Sequence, residues 1–161
     1  MSHISVADAI VALRSFPRRY RELIAPPGDD DAWDRLVRSI APGQTRSALG
    51  WTAEAAHLLG AIGAALAALP SHATVTLNRH SVGDSSEVAM STGVDAVLHE
   101  LTTAATMAAV AAEARPTLDW DREIILDGVP TRAAEVLAQL VEAVATHLKD
   151  LTQALKAAQP H

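Results

Sequence analysis

The sequence predicts an all-α fold, an antiparallel four-helix bundle with a short additional helix and a possible short β-hairpin element. Three observations carry the prediction. Four long segments each hold a single apolar stripe at helical spacing, with steps of three, four or seven residues. Proline- and glycine-bearing breaks separate them, at Ala25-Pro26-Pro27-Gly28, Ala41-Pro42-Gly43 and Pro70. The chain has 161 residues and is 49% apolar, which supports one hydrophobic core and one domain spanning 1–161.

The first helix is expected over residues 5–24, with Val6, Ile10, Leu13, Tyr20 and Ile24 on its stripe. Pro17 lies inside it and removes one backbone donor, which predicts a kink near Leu13–Phe16. A short helix over 32–40 should turn Trp33, Leu36, Val37 and Ile40 inward. Ser47 is placed to cap a long helix running to about Leu69, with Trp51, Ala55, Leu58, Ile62, Leu66 and Leu69 facing the core. Gly60 and Gly63 weaken that helix slightly and, with its alanines, permit close approach of another helix. Residues 70–92 read as an irregular connection.

A third long helix should start near Thr92, where Thr92-Gly93-Val94-Asp95 is similar to a capping box, and end before Pro116. Its inward residues are Val94, Val97, Leu98, Leu101, Ala105 and Ala108. Glu123-Ile124-Ile125-Leu126 reads as a short strand and Asp127-Gly128 as a tight turn. Thr131 can cap the last helix, which runs to about Ala157 and buries Leu137, Leu140, Val141, Val144, Leu148, Leu151 and Leu155. Trp33, Trp51 and Trp120 are read as core or interface anchors.

Several function classes drop out. The net charge is −6 and the basic run Arg18-Arg19-Tyr20-Arg21 reads as a solvated helix face, so no nucleic-acid partner is expected. The longest apolar stretch, 55–69, contains His57 and is shorter than the roughly 20 residues that cross a bilayer. With no signal-like N-terminus, a cytoplasmic protein with no membrane partner is expected. There is no cysteine, hence no disulfide, thiolate zinc site or thiol nucleophile of its own. Nucleotide-binding glycine loops, the Gly-x-Ser-x-Gly elbow and His-Glu-x-x-His are absent.

Chemistry therefore rests on histidines and carboxylates. Of seven histidines, His3 and His161 are terminal, His72 and His80 lie in the irregular connection, and His99 falls on the polar side of its helix. His57 and His147 flank apolar stripes. At 100° per residue, Glu54 lies about 60° and His57 about 120° from the centre of their stripe, and His147 about 70° from the centre of its own. Glu54 and His57 are i,i+3 neighbours, as are His147 and Asp150. Glu142 is not a partner of His147, because five residues leave them about 140° apart. The residue one turn before His147 is Ala143, and the residue one turn after Glu142 is Thr146.

Two segments carry a family resemblance. One is Ala41-Pro42-Gly43 leading through Ser47-Ala48-Leu49 and Gly50-Trp51-Thr52; the other is Asp127-Gly128-Val129 followed by His147-Leu148-Lys149-Asp150-Leu151. In their order and spacing the chain resembles the DinB-like superfamily, of the type of the N-terminal domain of mycothiol-dependent maleylpyruvate isomerase. The resemblance implies a bundle holding a divalent metal, Zn²⁺ or Ni²⁺, on three side chains: a His from the second long helix and a pair four residues apart on the last. It also implies a bound external thiol activated for transfer or isomerisation. The thiolate is the reactive form, and a nearby metal lowers a thiol's pKa. His147 matches the last ligand of that pattern, while Ala143 stands where its partner would be. On the second long helix the register is open. Matching through Ser47 places Glu54 at the ligand position, matching through Trp51-Thr52 places Leu59 there, and His57 fits with two residues missing.

Two functions follow. One is a metal- and thiol-dependent transferase or isomerase with a degenerate site at His57, His147 and Glu54. The other is a metal-free binding or homo-oligomeric assembly module, expected as a homodimer; the Ala/Gly faces of the second and third long helices permit close packing, either within the chain or across a two-fold axis.

Overall fold

The computed structural model describes residues 4–25, 31–71, 74–79 and 93–159. Most of them are helical. α1 is Val6–Ile24, α2 Asp31–Arg38, α3 Ala48–Ala68, α4 Val94–Glu113 and α5 Ala133–Ala158. Between α4 and α5 come a 3-10 turn, Thr117–Asp121, and a hairpin of β2, Glu123–Leu126, and β3, Val129–Arg132. A further strand, β1, Val75–Leu77, follows α3.

Local chemistry sets the helix starts. The Ser5 side chain accepts from the Asp8 amide at 3.1 Å, and Ser47 from the Gly50 amide at 2.9 Å. Each satisfies one of the amides that a helix start leaves without a partner. α1 continues through Pro17 and buries Ala9, Leu13, Phe16, Tyr20 and Ile24.

α3 is the central element. It packs on α4 and α5, and its C-terminal half also meets β1. The expected inward residues of α4 and α5 are all buried, and Leu49, Leu59 and Ile62 of α3 close the same core. Gly63 explains how α3 and α4 come so near: a methyl there would sit 3.3 Å from the Ala108 amide nitrogen.

Four local expectations are corrected. Ile40 does not turn inward: α2 ends at Arg38, so Ile40 leaves the stripe and is 59% exposed. The N-cap of α4 is Gly93, with φ +90° and no side-chain cap, one residue past the expected Thr92, which itself lies outside the described residues. Thr131 does not cap the last helix, because Glu123 pairs with Arg132 and the hairpin occupies the chain up to that point. Finally, residues 75–77 of the irregular connection form β1, paired parallel to β2 with Val75 opposite Ile124 and Leu77 opposite Leu126. Three residues show no readable periodicity, and their partner strand is supplied from the far end of the chain.

The Asp127-Gly128 turn forms as expected, with φ +51° and +83°, the left-handed pair of a tight hairpin turn. The Asp127 carboxylate also accepts from the Arg79 amide at 2.8 Å, tying the end of β1 to the hairpin. Arg122 donates to the Leu69 carbonyl and holds the hairpin to the end of α3. Among the described residues no helix is long and apolar enough to cross a membrane.

Candidate functional site

The side chains with usable chemistry gather where the start of α3 meets the second half of α5. Trp51, in the first turn of α3, stacks on His147 of α5 with ring centroids 5.0 Å apart and planes inclined by 35°. The Arg46 guanidinium, just ahead of the Ser47 cap, lies 5.5 Å from the centre of the Trp51 ring. Arg46 also reaches Glu54, with Nη2 4.0 Å from Oε2. On the other side, the Asp150 carboxylate is 3.5 Å from His147 Nδ1.

That last separation is an ion-pair distance, too long for a good hydrogen bond. His147 Nδ1 and Trp51 Nε1 are both buried without a hydrogen-bond partner among the described residues. A second-layer contact fixes this stretch of α5. The Tyr20 hydroxyl of α1 donates to the Val144 carbonyl at 2.7 Å, one turn before the imidazole.

Burial dominates the electrostatics. The His147 side chain is 17% exposed, and desolvation pulls its pKa below the ordinary histidine value. Asp150 and Glu54 oppose that shift and Arg46 adds to it. At neutral pH the ring is therefore an uncharged imidazole among one cation and two carboxylates.

A pH dependence follows. The unfolded chain takes up a proton on His147 near pH 6.5, and the folded chain only at lower pH. The unfolded state thus binds more protons in that window, and stability falls as pH drops below about 6.5 toward the folded value. His147→Gln should flatten this slope in denaturant unfolding measured from neutral to acid pH. An unchanged slope would show that the imidazole titrates alike in both states.

The expected site residues divide. Glu54 and His147 are linked through shared neighbours: Arg46 reaches Glu54 and lies against the Trp51 ring that stacks on His147. His57 goes elsewhere. Six residues along α3 turn its direction about 120° from that of Trp51. It lines a separate groove of about 490 Å³ between α3 and β1, with Ala61, Ala65 and Thr76. His99 is exposed on α4, as expected. The other four histidines lie outside the described residues.

The three-ligand centre implied by the family resemblance is not matched by these donors. One turn before His147, Ala143 offers a methyl group. Among the described residues no group of three or more His, Asp or Glu side chains is placed to hold a metal ion. Zinc sites generally need three or four protein ligands.

Arg46 escaped sequence reasoning because it precedes the helix and belongs to no periodic stripe. Its signal was position: a cation one residue before an N-cap can reach the helix's first two turns. No protein-family model, no curated protein and no solved structure matches the chain.

Proposed function

We propose that the four long helices form an antiparallel DinB-like bundle and that the protein works as a metal-free binding module. The observation that carries this reading is the pairing of Trp51 with His147. The imidazole that would complete a ligand set is stacked on an indole, faces Asp150 and has Ala143 as its neighbour one turn back. The alternative, metal-activated thiol transfer or isomerisation, retains Glu54 and His147 but has no third donor beside them among the described residues.

Zn²⁺ and Ni²⁺ titrations separate the two. Thermal unfolding of the purified chain should be unchanged up to millimolar metal. A metal at a hundred times its Kd would stabilise the fold by about 2.7 kcal/mol, and a shift of that size would restore the metal-dependent reading.

A further inference from the structure

We propose that the groove between α1 and α5 binds a small amphipathic carboxylate, an apolar body ending in one negative charge. This names a ligand class for the binding reading and rests on it.

The groove lies beside the contact that pins the two helices together, the Tyr20 hydroxyl donating to the Val144 carbonyl. Its floor is Leu23 of α1 with Ala145 and Leu148 of α5, and its volume is about 390 Å³. Ala145, the residue after Val144, contributes only a methyl group to that floor. Small-ligand sites occupy ~300–1,000 Å³ and are mostly apolar with a few placed polar groups.

Charge selects the ligand. Two cations stand at the rim, one from each helix: Arg19 and Lys149. Other guanidinium groups have a carboxylate of their own, Arg14 with Glu113, Arg38 with Asp34, Arg79 with Asp127 and Arg132 with Glu135. Arg19 and Lys149 make no ion pair among the described residues. Arg21, Arg35 and Lys156 make none either, but they do not line this groove. In a chain of net charge −6, two unneutralised cations brought to one apolar cleft from different helices call for an anion. The third charge at the rim is Glu22, which faces Arg18 at 3.8 Å. Two cations against one carboxylate leave a single positive charge in the lining. One ligand carboxylate neutralises it, whereas a phosphate dianion would exceed it. The remaining polar group, the Thr152 hydroxyl, donates to the Leu148 carbonyl at 2.8 Å.

Arg19 is also held in place before a ligand arrives. Its guanidinium carbon lies 5.6 Å from the centre of the fully buried Phe16 ring. A cation fixed over an aromatic face loses less freedom on binding. The basic run Arg18-Arg19-Tyr20-Arg21 is thus more than a solvated face: Tyr20 turns into the core and Arg19 is set at the groove.

Equilibrium dialysis of the full chain against labelled decanoate, kept below its micelle concentration, tests this. We expect saturable binding at a single site. Acetate has the charge without the tail, and decyltrimethylammonium the tail with the opposite charge; each should bind at least about tenfold more weakly. Arg19→Glu and Lys149→Glu should each weaken decanoate binding about tenfold or more, with helical circular dichroism retained because both side chains are exposed. Ala145→Leu fills the floor and should weaken it as much with every charge intact. Arg35→Glu on α2 makes the same charge change away from the groove and should leave affinity within about twofold. No binding up to about 1 mM decanoate overturns the proposal. Equal binding of decyltrimethylammonium overturns it too, as does decanoate binding that none of the three groove variants disturbs. Metal uptake in the separate Zn²⁺ and Ni²⁺ titrations would overturn the metal-free reading, a result that decanoate binding neither produces nor conceals.

Discussion

Replacing Tyr20 with Ala is expected to destabilise the fold by about 3–5 kcal/mol, the usual range for emptying a buried aromatic site. Tyr20 is fully buried on α1 and meets Phe16 edge-on, with ring centroids 6.3 Å apart. Its hydroxyl donates to the Val144 carbonyl of α5 across the core. Burial raises its pKa far above the ordinary tyrosine value, so the group stays a neutral donor. Tyr20→Phe keeps the ring and loses only the hydrogen bond, for an expected loss of about 1 kcal/mol. Chemical denaturation of the two variants separates packing from hydrogen bonding. If Phe is as damaging as Ala, the hydroxyl rather than the ring holds α1 against α5. Because Val144 lies one turn ahead of His147, the same contact positions the imidazole. The Phe variant should therefore also change the fluorescence of Trp51, which stacks on that ring.

Ala143→His is expected to create a metal site beside His147, where the described residues hold no group of three donors. The new imidazole would share His147's face at i,i+4 spacing, and Glu54 approaches from α3. That makes three donors, the minimum for a zinc centre with one open position. Zn²⁺ at a hundred times its Kd should then raise unfolding stability by about 2.7 kcal/mol, against no change for the natural chain. Ala143 is only partly buried, at the edge of the core, so a larger side chain has room to turn toward solvent. Adding Glu54→Gln should abolish the gain. Zinc binding that survives the double substitution would show that the third donor is not Glu54. Flat titration of Ala143→His would show that α3 and α5 do not bring their donors to one point.

The helices were legible because each buries a stripe that recurs along its own sequence. Leu137 through Leu155 on α5 and Val94 through Ala108 on α4 lie where a 3.6-residue period puts them, and every predicted inward residue of those two helices is buried. The Asp127-Gly128 turn was readable for a similar reason, since few residue pairs accept two left-handed positions in a row. Thr131 misled because two local signals overlap there. A Thr before a helix is a good cap, but the residues between turn and helix were already committed to β3. β1 left no trace for the opposite reason: Val75 meets Ile124, 49 residues away, and neither segment signals the pairing.

The candidate site divides along the same line. From the sequence alone one could place His147 beside its stripe, pair it with Asp150, and see that Ala143 stands one turn before it. All three statements concern directions within a single helix, which the helical repeat supplies. How far α3 turns relative to α5 is a different kind of quantity. It depends on which side chains interlock across the core, and no local repeat encodes it. That rotation brings Trp51 onto His147, draws Glu54 into the cluster with Arg46, and sends His57 into the groove along β1. Periodicity along the chain fixed the helices and the direction of each side chain on its own helix; packing between them decided which side chains meet.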